Sequence, residues 1–461
     1  MQKTLPVKTM LAVGTFAVLM LLPNWVPALA QYRSVDPAKF SKVWELPLPP
    51  VPEVAGGPSM DSLRMARAEA LAAQMLIDPK HELDHFYDAL RKGGTVRVLH
   101  YGDSPTTADL ITADVRSMLQ KQFGDAGAGF VLIARPWAWY AHRGMGMEAE
   151  NWGIDVAGRP EFKDGLFGLG GGRFRGTPGS VANWTLRSGQ ARSVEVAFLA
   201  QPNGGSFEFE ADGQVIGTGN TAAEIEQPGF ATFSLPATAS AFSLRVTSGF
   251  VKLFGAEFRK DKPGVLYSSL GINGASVTML SRAYDRAHFL AQLRHYRPDL
   301  VILAYGTNES GFPGFVDSTW SNEMETAVKR VRAALPDTSI LLMSPMDRGE
   351  LKADGQIGTL EALPRLVEKE KQLSVKLDIA FFNTFEAMGG PGTMARWYAA
   401  APRLVGADYI HPLPAGAKIV GELLYDGLRD GFDAFKLRKL KEREKVQQHA
   451  SSPVRGGPAA Q

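Results

Sequence analysis

The fold is decided by residues 95–123, whose sequence is TVRVLHYGDSPTTADLITADVRSMLQKQF. Thr95–His100 has the β-branched and apolar content of a strand, and it leads into the tetrapeptide YGDS. From Thr106 to Phe123 the apolar residues recur at helical spacing. A strand that passes through a glycine-containing turn into a helix predicts an α/β fold.

The same alternation returns after residue 263. Apolar segments typical of strands occupy Leu300–Tyr305, Ile340–Met343 and Ile379–Phe382. Helical patterns occupy Trp320–Ala334, Leu360–Leu373 and Pro414–Leu428. Because apolar strands that alternate with helices form parallel sheets covered on both faces, we predict one doubly wound α/β domain.

A different pattern separates the two α/β parts. Between Val181 and Phe258 five short segments alternate apolar and polar residues without a helical stretch: VEVAFLA, SFEFEA, ATFSLP, FSLRVTS and VKLFGAEF. Such strands over about 100 residues are typical of a β-sandwich. We therefore predict an α/β domain at 59–150 and 263–435, split by an inserted β-sandwich at 151–262.

The composition excludes several classes of protein. The 461 residues include 50 Lys+Arg against 48 Asp+Glu, so the charge balance favours neither a nucleic-acid partner nor a disordered chain. There is no cysteine, which excludes disulfides, thiolate metal sites and a thiol nucleophile. Covalent chemistry must therefore use Ser, Thr, Lys or a carboxylate.

The first thirty residues have the pattern of a secretory signal peptide. Two lysines precede an apolar run from Met10 to Leu22, and Ala28-Leu29-Ala30 offers the small residues that signal peptidase requires. The run is shorter than the ~20 apolar residues that span a bilayer, so we expect cleavage and no stable membrane span afterwards. Residues 1–30 therefore predict export to the periplasm or cell envelope.

The segments outside the two domains have their own compositions. Residues 31–58 are predicted to form a Pro-rich arm, since positions 44–58 read WELPLPPVPEVAGGP. Helical patterns follow at Met60–Leu76 and Leu83–Lys92. Residues 436–461 are predicted to begin as a basic helix and to end as a disordered Ser/Pro/Gly/Ala tail.

Four short motifs could carry chemistry. Ser104 follows the first strand and opens a helix, where open α/β sheets place ligands and where backbone N–H groups can hold an oxyanion. Asn308, in YGTNE, follows another apolar strand, and Gly274 lies in a further loop. His411 lies three residues after Asp408, so that a carboxylate could orient an imidazole base towards a serine.

Each motif alone has a plainer interpretation. An Asp-Ser pair often caps a helix, an Asn often forms a turn, and a single His often makes a structural hydrogen bond. The occurrence of all four in one order, three of them at loops after strands, favours the catalytic interpretation.

These residues resemble the four blocks of the SGNH (GDSL-type) hydrolases over roughly 90–135 and 265–430. The resemblance implies Ser104 as nucleophile, His411 as base and Asp408 as the residue that orients the base. It also implies an oxyanion hole formed by the Ser104 amide, the Gly274 amide and the Asn308 side chain.

The insertion between the first two blocks is similar to that of bacterial peptidoglycan O-acetylesterases, in which the insert resembles a carbohydrate-binding module. The segments FGDAGAGF at 123–130 and PGV at 263–265 add to this likeness. Pro105 and Glu309 depart from the pattern, since those relatives often have His after the serine and usually have Asp after the asparagine.

Two other sequence features could also have a function. His81-Glu82-Leu83-Asp84-His85 matches the zinc-protease pattern H-E-x-x-H, but no third ligand follows it, and an ordinary helix start explains it as well. Trp137, Trp139 and Tyr140 could stack on sugars or could pack in a core.

We expect, in sum, an exported serine esterase that removes O-acetyl groups from an envelope polysaccharide such as peptidoglycan. It would need no cofactor and no metal, and its partner would be an O-acetylated glycan. Two alternatives stay open: an acetyltransferase that uses the same acyl-serine, and a glycan-binding scaffold without activity.

Overall fold

The computed structural model describes residues 75–187 and 189–451, with side chains as far as residue 443. The predicted signal peptide at 1–30, the arm at 31–58, most of the predicted helix at 60–76 and the final ten residues lie outside this range.

A six-stranded sheet forms the centre of the α/β part. Its strands are, in chain order, β1 (Leu76–Ile77), β2 (Thr95–Gly102), β14 (Gly264–Gly271), β15 (Leu300–Ala304), β16 (Ser339–Met343) and β19 (Ala380–Phe382). Their order across the sheet is β1-β19-β16-β15-β2-β14. Five of the strands are parallel, and β1 at the edge runs antiparallel to β19. In chain order the parallel strands follow the 2-1-3-4-5 arrangement of a flavodoxin-like doubly wound sheet. The predicted α/β fold class is confirmed.

Helices cover both faces of this sheet because successive strand residues point to opposite sides. Leu99, Leu303 and Phe289 belong to one buried cluster, while Val98 and Ile302 belong to another on the opposite face. The helices are Asp84–Lys92, Ser104–Thr107, Ile111–Phe123, Arg286–Tyr296, Pro313–Ser318, Trp320–Ala334, Ala362–Lys376, Thr384–Ala387, Thr393–Ala399 and Pro414–Ser451.

Antiparallel strands form the β-rich part. The strands are β3 (Gly127–Val131), β4 (Met145–Glu150), β5 (Gly153–Val156), β6 (Gly172–Gly176), β7 (Val181–Leu186), β8 (Ser193–Ala200), β9 (Ser206–Ala211), β10 (Gln214–Asn220), β11 (Gln227–Ser234), β12 (Ala241–Ser248) and β13 (Val251–Arg259). One sheet has the order β10-β9-β12-β7-β4, and the other has the order β11-β8-β13-β6-β5 with β3 also paired to β13. A hairpin of β17 (Gly349–Leu351) and β18 (Ile357–Thr359) lies apart from both sheets. Antiparallel pairing therefore begins at β3, before the predicted boundary at 151, and the domain boundaries themselves stay a prediction.

The predicted helix over 106–123 is in fact two helices. The first ends at Thr107 and the second begins at Ile111, because Asp109 adopts a left-handed backbone with φ 51°. The Asp109 carboxylate is fully buried and accepts hydrogen bonds from the guanidinium of Arg116 at 3.0 and 2.6 Å. A buried ion pair thus replaces the helical turn that the apolar spacing predicted.

Other helix ends also differ from the sequence-based expectation. The closing helix runs from Pro414 to Ser451 rather than ending at Leu428, so the basic part of the tail is helical. Leu76, which was predicted to end a helix, lies in the short strand β1. Within residues 75–187 and 189–451, no helix is long and apolar enough to cross a bilayer.

Candidate active site

The carboxyl ends of three neighbouring strands meet at one edge of the parallel sheet. Gly102, the last residue of β2, is in register with Gly271 at the end of β14 and with Ala304 at the end of β15. Ser104, Gly274 and Asn308 follow these three ends within two, three and four residues. This edge is also the point where the strand order reverses, which is where doubly wound sheets bind ligands.

Two glycines let the serine-bearing helix lie tightly on this edge. A Cβ added at Gly102 would lie 2.2 Å from the Thr106 hydroxyl, and one added at Gly271 would lie 2.2 Å from the Thr107 amide. Any side chain at either position would displace helix Ser104–Thr107. The glycine in the YGDS motif is therefore required by packing.

The structure brings Ser104, His411 and Asp408 into one hydrogen-bonded chain. The Ser104 Oγ lies 2.7 Å from Nε2 of His411, and Nδ1 of the same ring lies 2.6 Å from Oδ2 of Asp408. A carboxylate can only accept from Nδ1–H, so the Nε2 lone pair is left to accept from the serine hydroxyl. This is the arrangement of a nucleophile, its base and the residue that orients the base.

The loop geometry holds Asp408 in its ionised form. Its Oδ1 accepts from the amides of Ile410 and His411, both at 3.1 Å. Partial burial alone would raise the pKa of Asp408, but the hydrogen bonds from the His411 ring and from the two amides keep this pKa below its ordinary value. Tyr409 takes a left-handed backbone with φ 58°, which turns the chain between the two polar residues. The carboxylate is therefore charged at neutral pH and can stabilise an imidazolium.

The predicted oxyanion donors lie at the same edge. The Ser104 amide is the first in its helix and so has no intrahelical partner. Gly274 has φ 73°, and nothing lies within 4 Å of the position where its Cβ would be. Asn308 Nδ2 donates to the Ala275 carbonyl at 2.7 Å, which fixes the amide and leaves its second N–H available.

Two buried carboxyl groups lie directly beneath this site, and sequence reasoning assigned them no role. Asp103 is 3% exposed and Glu309 is 2% exposed. Burial, and then the charge of Glu309, raise the pKa of Asp103 to about 7. Burial likewise raises the pKa of Glu309 to about 7, although the Val277 and Gly306 amides that it accepts from lower it. The only signal in the sequence was the presence of Glu309 where relatives usually have Asp.

The competing zinc motif does not form a site. His81 has φ 62° and precedes helix Asp84–Lys92, so His81 and His85 do not share a helical face. His85 instead contacts Asp299, with Nε2 3.5 Å from Oδ1. Among the residues that the structure describes, no group of three or more His, Cys, Asp or Glu side chains could hold a metal ion.

The aromatic residues Trp137, Trp139 and Tyr140, which were predicted either to bind sugars or to pack in a core, lie in different environments. Tyr140 is buried, and its hydroxyl accepts from the Leu132 amide at 2.9 Å. Trp137 packs partly against the core, whereas Trp139 is 71% exposed. The segment adjoins the serine-bearing helix, because the Ala141 amide donates to the Thr107 carbonyl.

A doubly wound sheet with a Ser-His-Asp relay and adjacent amide donors has the arrangement of a serine hydrolase. The model of the GDSL-like lipase/acylhydrolase family matches residues 237–419, which include Gly274, Asn308, Asp408 and His411. The chain thus carries a domain of the SGNH hydrolase superfamily and is a carboxylic ester hydrolase of that type.

Of two solved structures similar to this chain, the first shares its fold. A structure of a peptidoglycan O-acetylesterase is 23% identical with a TM-score of 0.65, covering 78% of this chain and 99% of that one. A family two carbohydrate esterase from Cellvibrio japonicus is 14% identical with a TM-score of 0.26, covering 63% of this chain and 98% of that one. No curated protein matches the sequence.

Proposed function

We propose that this esterase is exported and removes O-acetyl groups from an envelope polysaccharide, with peptidoglycan as the first candidate substrate. The observation that carries the proposal is the Ser104–His411–Asp408 relay, which lies beside the amide donors of Gly274 and Asn308. The similarity in fold to a peptidoglycan O-acetylesterase over 99% of that chain supports the choice of glycan.

The reaction follows from the contacts. As Ser104 Oγ attacks the acetyl carbonyl carbon, its proton passes to Nε2 of His411, and the amide donors stabilise the oxyanion. The bond from the carbonyl carbon to the sugar oxygen then breaks, and the imidazolium returns the proton to that oxygen. Water next attacks the acyl-serine and gives a proton to Nε2. The bond from the carbonyl carbon to Oγ then breaks, the imidazolium returns that proton to Oγ, and the product leaves as acetic acid, which ionises to acetate.

A cleft next to the oxyanion donors could hold the sugar ring that carries the acetyl ester. It has a volume of about 660 Å³, and its lining includes Gly274, Asn308 and the hydroxyls of Ser276 and Thr278. Phe312 forms part of the wall with its side chain largely exposed, at 68%. Hydroxyl groups beside an exposed aromatic ring offer hydrogen bonds and a flat apolar surface, which together match the edges and faces of a sugar ring.

The exposure of the relay favours hydrolysis over acetyl transfer. The side chains of His411 and Asp408 are each 48% exposed, so water reaches the base directly. Transfer to a second sugar requires water to be excluded while the acyl-serine persists. An open relay supports release of acetate.

The test measures acetate release from O-acetylated peptidoglycan and from acetylated xylan. We expect activity on one glycan, and Ser104→Ala should lower it by about 10³-fold or more. The matched control is Ser234→Ala, a serine exposed on β11, which should leave the rate unchanged. Activity that survives Ser104→Ala but disappears with a chelator would refute the proposal, and acetyl transfer to added oligosaccharide would favour the transferase alternative.

Export is tested separately by fractionating cells that express the full chain. We expect the protein in the envelope fraction with Gln31 as its first residue. An intact N-terminus on cytoplasmic protein would contradict export and leave the esterase proposal untouched.

A further inference from the structure

The buried carboxylate of Glu309 joins the two segments that carry the oxyanion donors. Its Oε1 accepts from the Val277 amide at 2.8 Å, three residues beyond Gly274. Its Oε2 accepts from the Gly306 amide at 3.1 Å, two residues before Asn308. One side chain therefore bridges the loop after β14 and the loop after β15.

A second contact spans the same gap. Asn308 Nδ2 donates to the Ala275 carbonyl at 2.7 Å, beside the amide of Gly274. No atom outside its chain neighbours lies within 4 Å of the position where a Cβ of Gly274 would be, so packing does not hold this residue on that side. The segment is tied to the end of β2 by the Ile272 amide, which donates to the Gly102 carbonyl at 3.0 Å, and beyond Gly274 it is held by its bonds to the Asn308 segment.

We propose that Glu309 is a positioning residue of the oxyanion hole. By fixing the distance between the Gly274 and Asn308 segments, it sets the spacing of the two donors that face the transition-state oxyanion. The proposal rests on the oxyanion roles of Gly274 and Asn308. Donors of this kind act mainly on the transition state, so misplacing them lowers kcat more than it raises KM.

The test is Glu309→Gln, assayed on 4-nitrophenyl acetate so that glycan preference does not enter. Glutamine keeps the volume of the side chain, but its single oxygen can accept a hydrogen bond from only one of the two amides. Its NH₂ group is itself a donor, so it cannot accept a hydrogen bond from the other amide. We expect kcat to fall by about 10- to 100-fold with KM within about twofold of the wild type.

The matched control is Glu370→Gln, the same substitution at a second buried glutamate nearby. Glu370 is completely buried, and neither of its oxygens has a hydrogen-bond partner among the described residues. Its Oε1 lies 3.1 Å from the position where a Cβ of Gly306 would be, but it hydrogen-bonds to neither oxyanion segment, so we expect kcat to stay unchanged. Equal losses in the two variants would overturn the positioning role.

A double-mutant cycle separates positioning from general damage. In an Asn308→Ala background, Glu309→Gln should cost much less than in the wild type, because the hole is already incomplete. A full additional loss there would overturn the positioning role alone. If Asn308→Ala by itself leaves kcat unchanged, the oxyanion assignment fails and the proposal fails with it.

Glu309→Asp keeps the experiment decisive if the glutamine variant does not fold. The shorter aspartate keeps its charge but reaches only one of the two amides, so kcat should lie between those of the wild type and Asn308→Ala. A folded Glu309→Asp enzyme with wild-type kcat would overturn the proposal.

Discussion

Replacing Glu370 with methionine should stabilise the protein, and the gain should grow as the pH rises. Glu370 lies in helix Ala362–Lys376 with no exposed surface, and within the described part of the chain its carboxyl oxygens have no partners. Burial, and then the charge of Glu309, raise the pKa of Glu370 well above its ordinary value of 4.5. Folding therefore requires a neutral, unpaired carboxyl group in the core.

Two contributions set the size of the effect. Burying a polar group without a hydrogen bond costs about 1–3 kcal/mol, and an apolar side chain of similar length removes this cost. The unfolded chain also gains stability as the free carboxyl ionises above pH 4.5, while the folded protein keeps its proton. The wild type should thus lose about 1.4 kcal/mol of stability per pH unit above 4.5, up to the folded-state pKa of Glu370.

Urea denaturation of the wild type and Glu370→Met at pH 5, 6 and 7 measures both contributions. The difference in unfolding free energy should be about 1–3 kcal/mol near pH 5 and should be larger at pH 6. Glu368→Met, at an exposed position of the same helix, is the control and should show no such slope. A difference that stays flat between pH 5 and pH 6, or one in which the methionine variant is the less stable, would refute the reasoning.

Three further predictions concern the relay, the buried ion pair and the cleft. Asp408→Asn should lower kcat by about 10²- to 10⁴-fold with little change in Tm, since the relay loses its charge at a half-exposed position; wild-type kinetics would contradict this. Asp109→Ala leaves the buried Arg116 unpaired and should lower the unfolding free energy by about 3–5 kcal/mol, measured in urea; a loss under about 1 kcal/mol would show that the pair is unimportant. Phe312→Ala should raise KM for an acetylated glycan by about 2- to 10-fold and leave 4-nitrophenyl acetate hydrolysis unchanged; equal effects on both substrates would exclude sugar stacking.

The elements that could be predicted from the sequence are those with one dominant pattern. Helix Trp320–Ala334 has the predicted bounds, and the three parallel strands from Leu300 onward differ from prediction by one residue each, whereas the hairpin of β17 and β18 was not predicted. Fully buried parallel strands are apolar throughout, so short runs such as Ser339–Met343 stand out from their surroundings.

Other elements were missed because polar side chains interrupt their patterns. Strand Gly264–Gly271 contains Tyr267, whose buried hydroxyl lies 2.6 Å from Nδ1 of His100 on the neighbouring strand. Each polar group satisfies the other, yet neither shows from sequence alone that it has a partner. The same holds for Asp109, whose partner Arg116 lies seven residues away and is recognisable only once the helix is broken.

The site also contains features that the sequence could predict and a contact that it could not. Ser104 and Asn308 could be predicted because each follows an apolar strand, and the carboxyl ends of parallel strands converge on one edge. The bridge that Glu309 makes to Val277 could not be predicted, since it joins loops 32 residues apart through a buried carboxylate. Motif positions indicate which side chains meet a substrate, whereas the contacts that space them depend on packing.

The way the chain returns to the parallel sheet explains how the β-rich part is accommodated. The chain leaves the α/β part at Gly124 and rejoins it at Val265, where the Val265 amide donates to the Gly124 carbonyl at 2.8 Å and the Ala126 amide donates to the Val265 carbonyl at 3.3 Å. A Cβ at Gly124 would lie 2.7 Å from the Pro263 carbonyl oxygen, so only glycine permits this approach. Because the two ends touch, the length of the chain between them does not alter the register of β14 against β2. That register is what brings Gly274 to the same edge as Ser104, and so the glycine contact at residue 124 indirectly supports the geometry of the active site.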